Sequence, residues 1–221
     1  MKFLTFLNSG CISLCENMLV SAKKVGLNPK DFFIACLDNE SKEHFRDYEN
    51  TFLYFNHNLK EYQNWTFDEN SGFREIVKHK WKLIKKIYEN NKKLCWVDTD
   101  IVFIKNPLDR IQNNEKILFQ TDYPGSVLCT GFMVFNQTNQ CDSLINECSQ
   151  NEKEDDQLLL NKIALSNYME HIGILNPDLF PNGNEYYKNN NKKDAYIVHN
   201  NWMMGTENKI NKFKEEGLWY I

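Results

Sequence analysis

Four short apolar runs, set between amphipathic or polar stretches, constrain the first hundred residues more than any other feature of the chain. Residues 2–7 and 32–37 read as buried strands, 51–56 as a third, and Leu94-Cys95-Trp96-Val97 as a fourth. Between them fall an amphipathic helix over 12–25 that Gly26 stops, a polar helix over 40–48, and a long basic helix over about 72–90. Residues 57–71 read as a polar loop with interspersed aromatics. Alternation of this kind builds βαβ units around a mostly parallel sheet. Such sheets bind ligands beyond the carboxyl ends of their strands. Two places answer that description: Asn8-Ser9-Gly10 and Asp98-Thr99-Asp100.

The second half is less regular, with strands expected at 116–121, 131–136, 172–175 and 195–199 and helices at 139–150, 155–166 and 206–216. No Pro/Gly/Ser linker and no repeat divides the chain, so residues 1–221 read as a single domain with a sizeable core. A net charge of −4, from 26 basic and 30 acidic residues, argues against a general nucleic-acid binder. Seven cysteines without C-x-x-C spacing suggest neither a disulfide framework nor a zinc site and point to a reducing compartment. The apolar start is broken by Asn8-Ser9-Gly10 and Glu16-Asn17, unlike a signal peptide. No run reaches the about 18–20 apolar residues of a membrane span. A soluble, cytoplasmic protein is expected, with the N-x-T sequons at Asn64 and Asn136 unused. The 30 asparagines, like 23 lysines against 3 arginines, fit an A/T-rich source better than a site.

Asp98 and Asp100 stand two apart, so on an extended strand end their carboxylates point the same way. Their mutual repulsion is relieved by a hard divalent cation, which in turn holds substrate phosphates. A lone D-x-D is a weak signal, and its setting sharpens it: four apolar residues precede it and Ile101-Val102-Phe103-Ile104 follow.

The segment from Trp96 to Pro107 resembles the metal-binding stretch of GT-A fold glycosyltransferases, in the nucleotide-diphospho-sugar transferase group that includes plant cell-wall and viral enzymes. Three further segments match in order. Cys129-Thr130-Gly131-Phe132 resembles the strand beside the donor sugar, with Cys129 where the family usually has Asn. Asp155-Asp156-Gln157 resembles its acid-Gln helix start, and His199-Asn200-Asn201-Trp202-Met203-Met204-Gly205 with Lys209 its C-terminal metal and phosphate segment. The resemblance implies a Rossmann-like mixed α/β sheet flanked by helices, with residues 1–100 binding nucleotide and 101–221 the donor sugar and acceptor. It implies sugar transfer from a nucleotide diphosphate, by default UDP, to a saccharide or glycan, with retention at the anomeric carbon. A soluble bacterial or viral glycan-building enzyme fits that description, working in the host cytoplasm if viral.

The same resemblance assigns roles. Asp98, Asp100 and His199 would ligate Mn²⁺ or Mg²⁺, an O,O,N set that suits Mn²⁺. Thr5, Leu7 and Asn8 would border the nucleoside, and Thr99, Gly205 and Lys209 the phosphates. Lys78 and Lys82 share a helix face and would meet the diphosphate or the metal carboxylates, with Lys80 elsewhere on that helix. Asp122, Thr130 and Gly131 would line the donor-sugar pocket, Asp156 and Gln157 would sit near the anomeric carbon, and Trp202 could floor an acceptor site. Two alternatives stay open. Asp98-Thr99-Asp100-Ile101-Val102 also fits a haloacid-dehalogenase-like phosphohydrolase with Asp98 as nucleophile, and a non-catalytic nucleotide- or sugar-binding module would use the same fold.

Overall fold

A computed structural model describes residues 1–54, 76–77, 79–112, 114–123, 127–151, 154–188 and 192–221. Nine strands are named in chain order: β1 (Lys2–Leu7), β2 (Phe32–Cys36), β3 (Thr51–Leu53), β4 (Leu94–Val97), β5 (Ile101–Phe103), β6 (Ile117–Tyr123), β7 (Val127–Phe135), β8 (Ile172–Ile174) and β9 (Ile197–His199). The helices that position the site are α1 (Ile12–Lys24), α2 (Asn39–His44), α3 (Lys80–Asn91), α4 (Leu108–Ile111), α5 (Asn139–Ser149), α6 (Asp156–Asn167), α7 (Gly183–Lys188) and α8 (Thr206–Glu215).

A seven-stranded mixed sheet runs in the order β3-β2-β1-β4-β7-β6-β8. Its first four strands are parallel, as the alternation of the first hundred residues requires. β7 then reverses direction against β4 and β6 against β7, while β8 adds parallel to β6. β5 and β9 form a separate antiparallel ribbon in which Ile101 lies opposite His199. That register sets the D-x-D turn directly across from the histidine.

The period of two along the strands sorts side chains onto two faces. Phe3, Leu7, Phe32, Ile34, Cys95 and Val97 pack with Cys15, Met18 and Leu19 of α1. On the other face Leu4, Leu94, Trp96, Met133 and Phe135 meet Trp81, Ile84 and Tyr88 of α3 and Leu144 and Ile145 of α5. Phe3 and Phe32 stack at 4.7 Å, and Phe103 of the ribbon meets both edge-on. Gly26 closes α1 at φ +85°, with Leu27 N–H donating back to Ala22 O at 3.0 Å. This is the left-handed stop that glycine permits without strain.

The expected elements stand close to their predicted places: β1 and β4 have the expected spans, and β7 begins four residues earlier than expected. The third strand ends at Leu53 and the polar helix is Asn39–His44. The basic helix begins at Lys80, after a helical pair at Ile76 and Val77. Residues 55–75, which include the expected loop, and Lys78 lie outside the described residues. Among the described residues no helix is long and apolar enough to cross a membrane. All seven cysteines are free, and six are buried.

Asp38 connects this frame to the site. Its carboxylate caps α2, accepting from Ser41 N at 2.8 Å and Ser41 Oγ at 2.6 Å, and its Oδ2 accepts from Ser9 N at 2.7 Å. It thereby ties the loop after β1 to the loop after β2. Burial opposes the charge, but the hydrogen bonds from Ser41 and Ser9 prevail and hold Asp38 below its ordinary value of 3.8. A depressed carboxylate stabilises the fold above that ordinary value, and the contribution is lost as pH falls through the depressed one. Asp38→Asn is expected to cost about 1–2 kcal/mol at pH 7 in urea melts, with the gap to the unmodified chain narrowing towards pH 3. A gap independent of pH would show that the charge contributes nothing.

Candidate active site

A cavity of about 340 Å³ opens at the carboxyl ends of β1 and β4. Leu7 and Asn8 reach it from the end of β1, and Asp98, Thr99 and Asp100 from the turn between β4 and β5. The aspartates are not on an extended strand end as expected. They flank a turn in which Ile101 N–H donates to Asp98 O at 3.3 Å. Their carboxylates still converge, because the β5–β9 ribbon delivers His199 between them.

His199 Nε2 stands 3.4 Å from Asp100 Oδ1 and 3.8 Å from Asp98 Oδ2. Ligand atoms of the three residues all lie within 4.8 Å of one another. Two carboxylate oxygens and an imidazole nitrogen, close and facing inward, fit a divalent cation of the Mn²⁺ or Mg²⁺ kind. The ring rests against the backbone of Gly131, where a Cβ would lie 1.9 Å from His199 Cε1. Glycine is the residue that fits here, and its carbonyl also accepts from Asp98 N at 2.9 Å.

Two buried lysines complete the charge pattern. Lys209 of α8 places Nζ 2.5 Å from Asp100 Oδ2. Burial opposes the ionised form of Asp100, but Lys209 and His199 outweigh it and hold the carboxyl well below the usual range. Asn200 links the same parts, donating from its backbone N–H to Asp100 O at 2.9 Å and from Nδ2 to Lys209 O at 3.1 Å. Lys80, at the start of α3, is 4% exposed and lies 2.7 Å from Asp156 Oδ2 and 3.5 Å from Asp98 Oδ1. Burial pulls its pKa down, yet Asp156 and Asp98 push it above that of an ordinary lysine. Lys80 Nζ is thus the cation that faces the buried Oδ2 of Asp156. Asp98 Oδ1 also accepts from Trp96 Nε1 at 2.7 Å.

The polar wall opposite comes from β6, β7 and α6. Asp155 caps α6, accepting from Gln157 N at 3.0 Å and Leu158 N at 3.2 Å. Gln157 Oε1 accepts from Thr130 N at 3.2 Å, while its Nε2 donates to Asp122 Oδ2 at 2.6 Å. Asn201 Nδ2 donates to the other oxygen of Asp122. Asp122, Gln157, Thr130 and Asn201 thus form one connected array along the cavity.

Of the residues anticipated from sequence, Leu7, Asn8, Asp98, Thr99, Asp100, Asp122, Thr130, Gly131, Asp156, Gln157, His199, Trp202 and Lys209 all line this cavity. Lys82 does not: it is exposed, and Lys80, two positions earlier and placed elsewhere from sequence, is the helix's buried cation. Thr5 is buried and does not line the cavity, and its hydroxyl has no hydrogen-bond partner among the described residues. Gly205 opens α8 at φ +83°, and the wall there is formed by Thr206. Lys78 lies outside the described residues. Lys80 was detectable in principle, because it falls on the Ile84–Ile87–Tyr88 stripe of its helix, and Asn201 belongs to the segment after the histidine strand that the sequence resemblance already takes in.

Comparisons with known proteins agree with this geometry. The nucleotide-diphospho-sugar transferase profile matches residues 29–213. The chain is 21% identical to a UDP-galactose:fucoside alpha-3-galactosyltransferase of Dictyostelium discoideum, over 100% of this chain and 43% of that protein. It is 22% identical to UDP-D-xylose:L-fucose alpha-1,3-D-xylosyltransferase 1 of Arabidopsis thaliana, over 68% of this chain and 51% of the other. The chain spans about half the length of the curated relatives it matches. In fold it resembles the crystal structure of a glycosyltransferase involved in glycosylating the major capsid of PBCV-1, with TM-score 0.56 and 11% identity, covering 97% of this chain and 100% of that one. The GT-A architecture is therefore the one expected. The phosphohydrolase alternative falls: the profile is that of a different family, and Asp98 follows the fourth strand of the chain with His199 beside it. Because the matched span takes in most of the chain and all three residues of the carboxylate–imidazole cluster, this chain belongs to the nucleotide-diphospho-sugar transferase family.

Proposed function

We propose that the chain is a divalent-cation-dependent glycosyltransferase that moves a sugar from a UDP donor to a saccharide or glycan acceptor with retention at the anomeric carbon. The observation that carries this reading is the convergence of Asp98, Asp100 and His199 Nε2 in a cavity that two buried lysines also face. Bound there, Mn²⁺ or Mg²⁺ supplies Lewis-acid stabilisation of the charge that grows on a departing diphosphate. Lys209 and Lys80 add fixed positive charge, in a dry setting where it acts more strongly than in water. Leu7 and Asn8 border the nucleoside, and Thr99 and Lys209 the phosphates.

Asp122, Thr130, Gly131 and Gln157 hold the donor sugar, with the Gln157 amide already fixed between the Thr130 backbone N–H and the Asp122 carboxylate. Asp156, ion-paired with Lys80 at the cavity wall, takes a sugar hydroxyl near the anomeric carbon. Retention follows from front-face attack: the acceptor oxygen bonds to the anomeric carbon as the bond to the diphosphate oxygen breaks, and that oxygen takes the acceptor's proton. Trp202, 44% exposed at the cavity, offers an aromatic face to the acceptor. Residues 1–221 act as one catalytic unit, with nucleotide held by 1–100 and sugar and acceptor by 101–221. Seven free thiols support a reducing, cytoplasmic setting.

Thermal shift against a panel of nucleoside diphosphates, with and without Mn²⁺, tests the reading. UDP at about 100 times its Kd adds about 2.7 kcal/mol and raises Tm by about 5–10 °C, in the presence of Mn²⁺ alone. Mass spectrometry of donor hydrolysis products then identifies the sugar. No response to any nucleotide refutes the proposal.

A further inference from the structure

His199 uses both ring nitrogens. Nε2 faces the two aspartates, while Nδ1 lies 2.8 Å from Oε1 of Gln120. Gln120 is completely buried in β6, within a stretch of mostly apolar strand residues. Its amide cannot be turned round. Nε2 donates to the carbonyls of Phe180 at 3.0 Å and Pro181 at 2.8 Å, which only accept. Oε1 must therefore face the imidazole, and Nδ1 must carry the proton it donates. Cys129 Sγ, 3.8 Å from the same nitrogen, is a much weaker partner.

We propose that Gln120 is a positioning residue that fixes the orientation and tautomer of His199, so that the Nε2 lone pair is presented beside Asp98 and Asp100 as the third protein ligand of a divalent cation. The proposal rests on the reading of that cluster as a cation site. A ligand histidine depends on the group that accepts its other N–H, and losing that group costs about 10–100-fold in metal affinity. Gln120 is in turn held by the Phe180–Pro181 backbone, next to Asn182, which bridges to His199. The imidazole is thus set by a chain of contacts that runs through Gln120 to the Phe180–Pro181 backbone.

The test measures Mn²⁺ affinity in the presence of UDP, by electron paramagnetic resonance of the free ion, together with Tm. The proteins are the unmodified chain, Gln120→Met, Gln120→Glu, His199→Ala and the Gln120→Met/His199→Ala double variant. Both Gln120 variants lose the donors to Phe180 and Pro181, so both should melt lower. Only Gln120→Met loses the acceptor for Nδ1–H, so its Mn²⁺ affinity should fall by about 10–100-fold while Gln120→Glu keeps that of the unmodified chain. In the His199→Ala background Gln120→Met should cost no further affinity. Equal losses in the Met and Glu variants, no loss in Met, or a further loss without His199 would overturn the proposal and leave Gln120 as a loop brace. Failure of the unmodified chain to take up Mn²⁺ with UDP would remove the cation reading itself.

Discussion

Asp100→Asn is expected to abolish Mn²⁺-dependent stabilisation by UDP and to slow sugar transfer by about 10³-fold, equivalent to about 4 kcal/mol of barrier. The side chain keeps its shape and loses its charge. Asp100 is 6% exposed, with Lys209 Nζ on one oxygen and His199 Nε2 facing the other. The substitution therefore removes a proposed cation ligand and also strands a buried ammonium. Breaking one side of a buried pair costs about 3–5 kcal/mol, so a loss of stability towards the lower end of that range should accompany the loss of binding. The two effects separate experimentally, because Asp100→Asn/Lys209→Met removes both charges and should recover part of the stability but none of the Mn²⁺-dependent response. Retention of that response by Asp100→Asn would show that this carboxylate is not a ligand.

Lys80→Met should destabilise the chain by about 3–5 kcal/mol at neutral pH, the largest purely structural effect expected of any single change at the site. Lys80 neutralises Asp156 at 2.7 Å and faces Asp98 at 3.5 Å, and methionine leaves Asp156 without its counter-charge in a dry wall. Adding Asp156→Asn removes the stranded charge and should restore about 1–3 kcal/mol, a coupling read directly from urea melts of the two single variants and the double. The side chain also lies 5.1 Å over the Trp96 ring, so some of the loss is a cation–π contact that the second substitution does not return. A Lys80→Met chain within about 1 kcal/mol of the unmodified protein would show that the pair is stabilised from elsewhere.

Much of this was legible from sequence where periodicity or a special backbone conformation dictated the structure. β1, β4, α1 and its Gly26 stop follow from apolar spacing and one left-handed glycine, both local properties. The convergence of the aspartate pair was expected for an incomplete reason, since it depends on the ribbon register that sets Ile101 opposite His199 and not on strand geometry. Lys82 is expected at the site from the family resemblance, on a face it shares with Lys78 of a helix counted from residue 72. Among the described residues that helix starts at Lys80, and Trp81, Ile84, Ile87 and Tyr88 define its buried side. Gln120 was missed because its partners, His199 and the carbonyls of Phe180 and Pro181, are 60 to 79 positions away. Long-range hydrogen bonds of that kind leave no periodic trace in a sequence.

The ribbon of β5 and β9 also fixes when the site can exist. Its two aspartates belong to the middle of the chain, while the histidine lies beyond β8 and the cation Lys209 further still. During synthesis the parallel half of the sheet can form first, as N-terminal segments generally do, with Asp98 and Asp100 already displayed at its edge. The third ligand and one neutralising lysine reach them only after about a hundred more residues have emerged, through a contact whose loop-closure entropy has to be overcome first. On the proposed reading, cation affinity therefore belongs to the finished fold, because the two carboxylates alone have no cage around them.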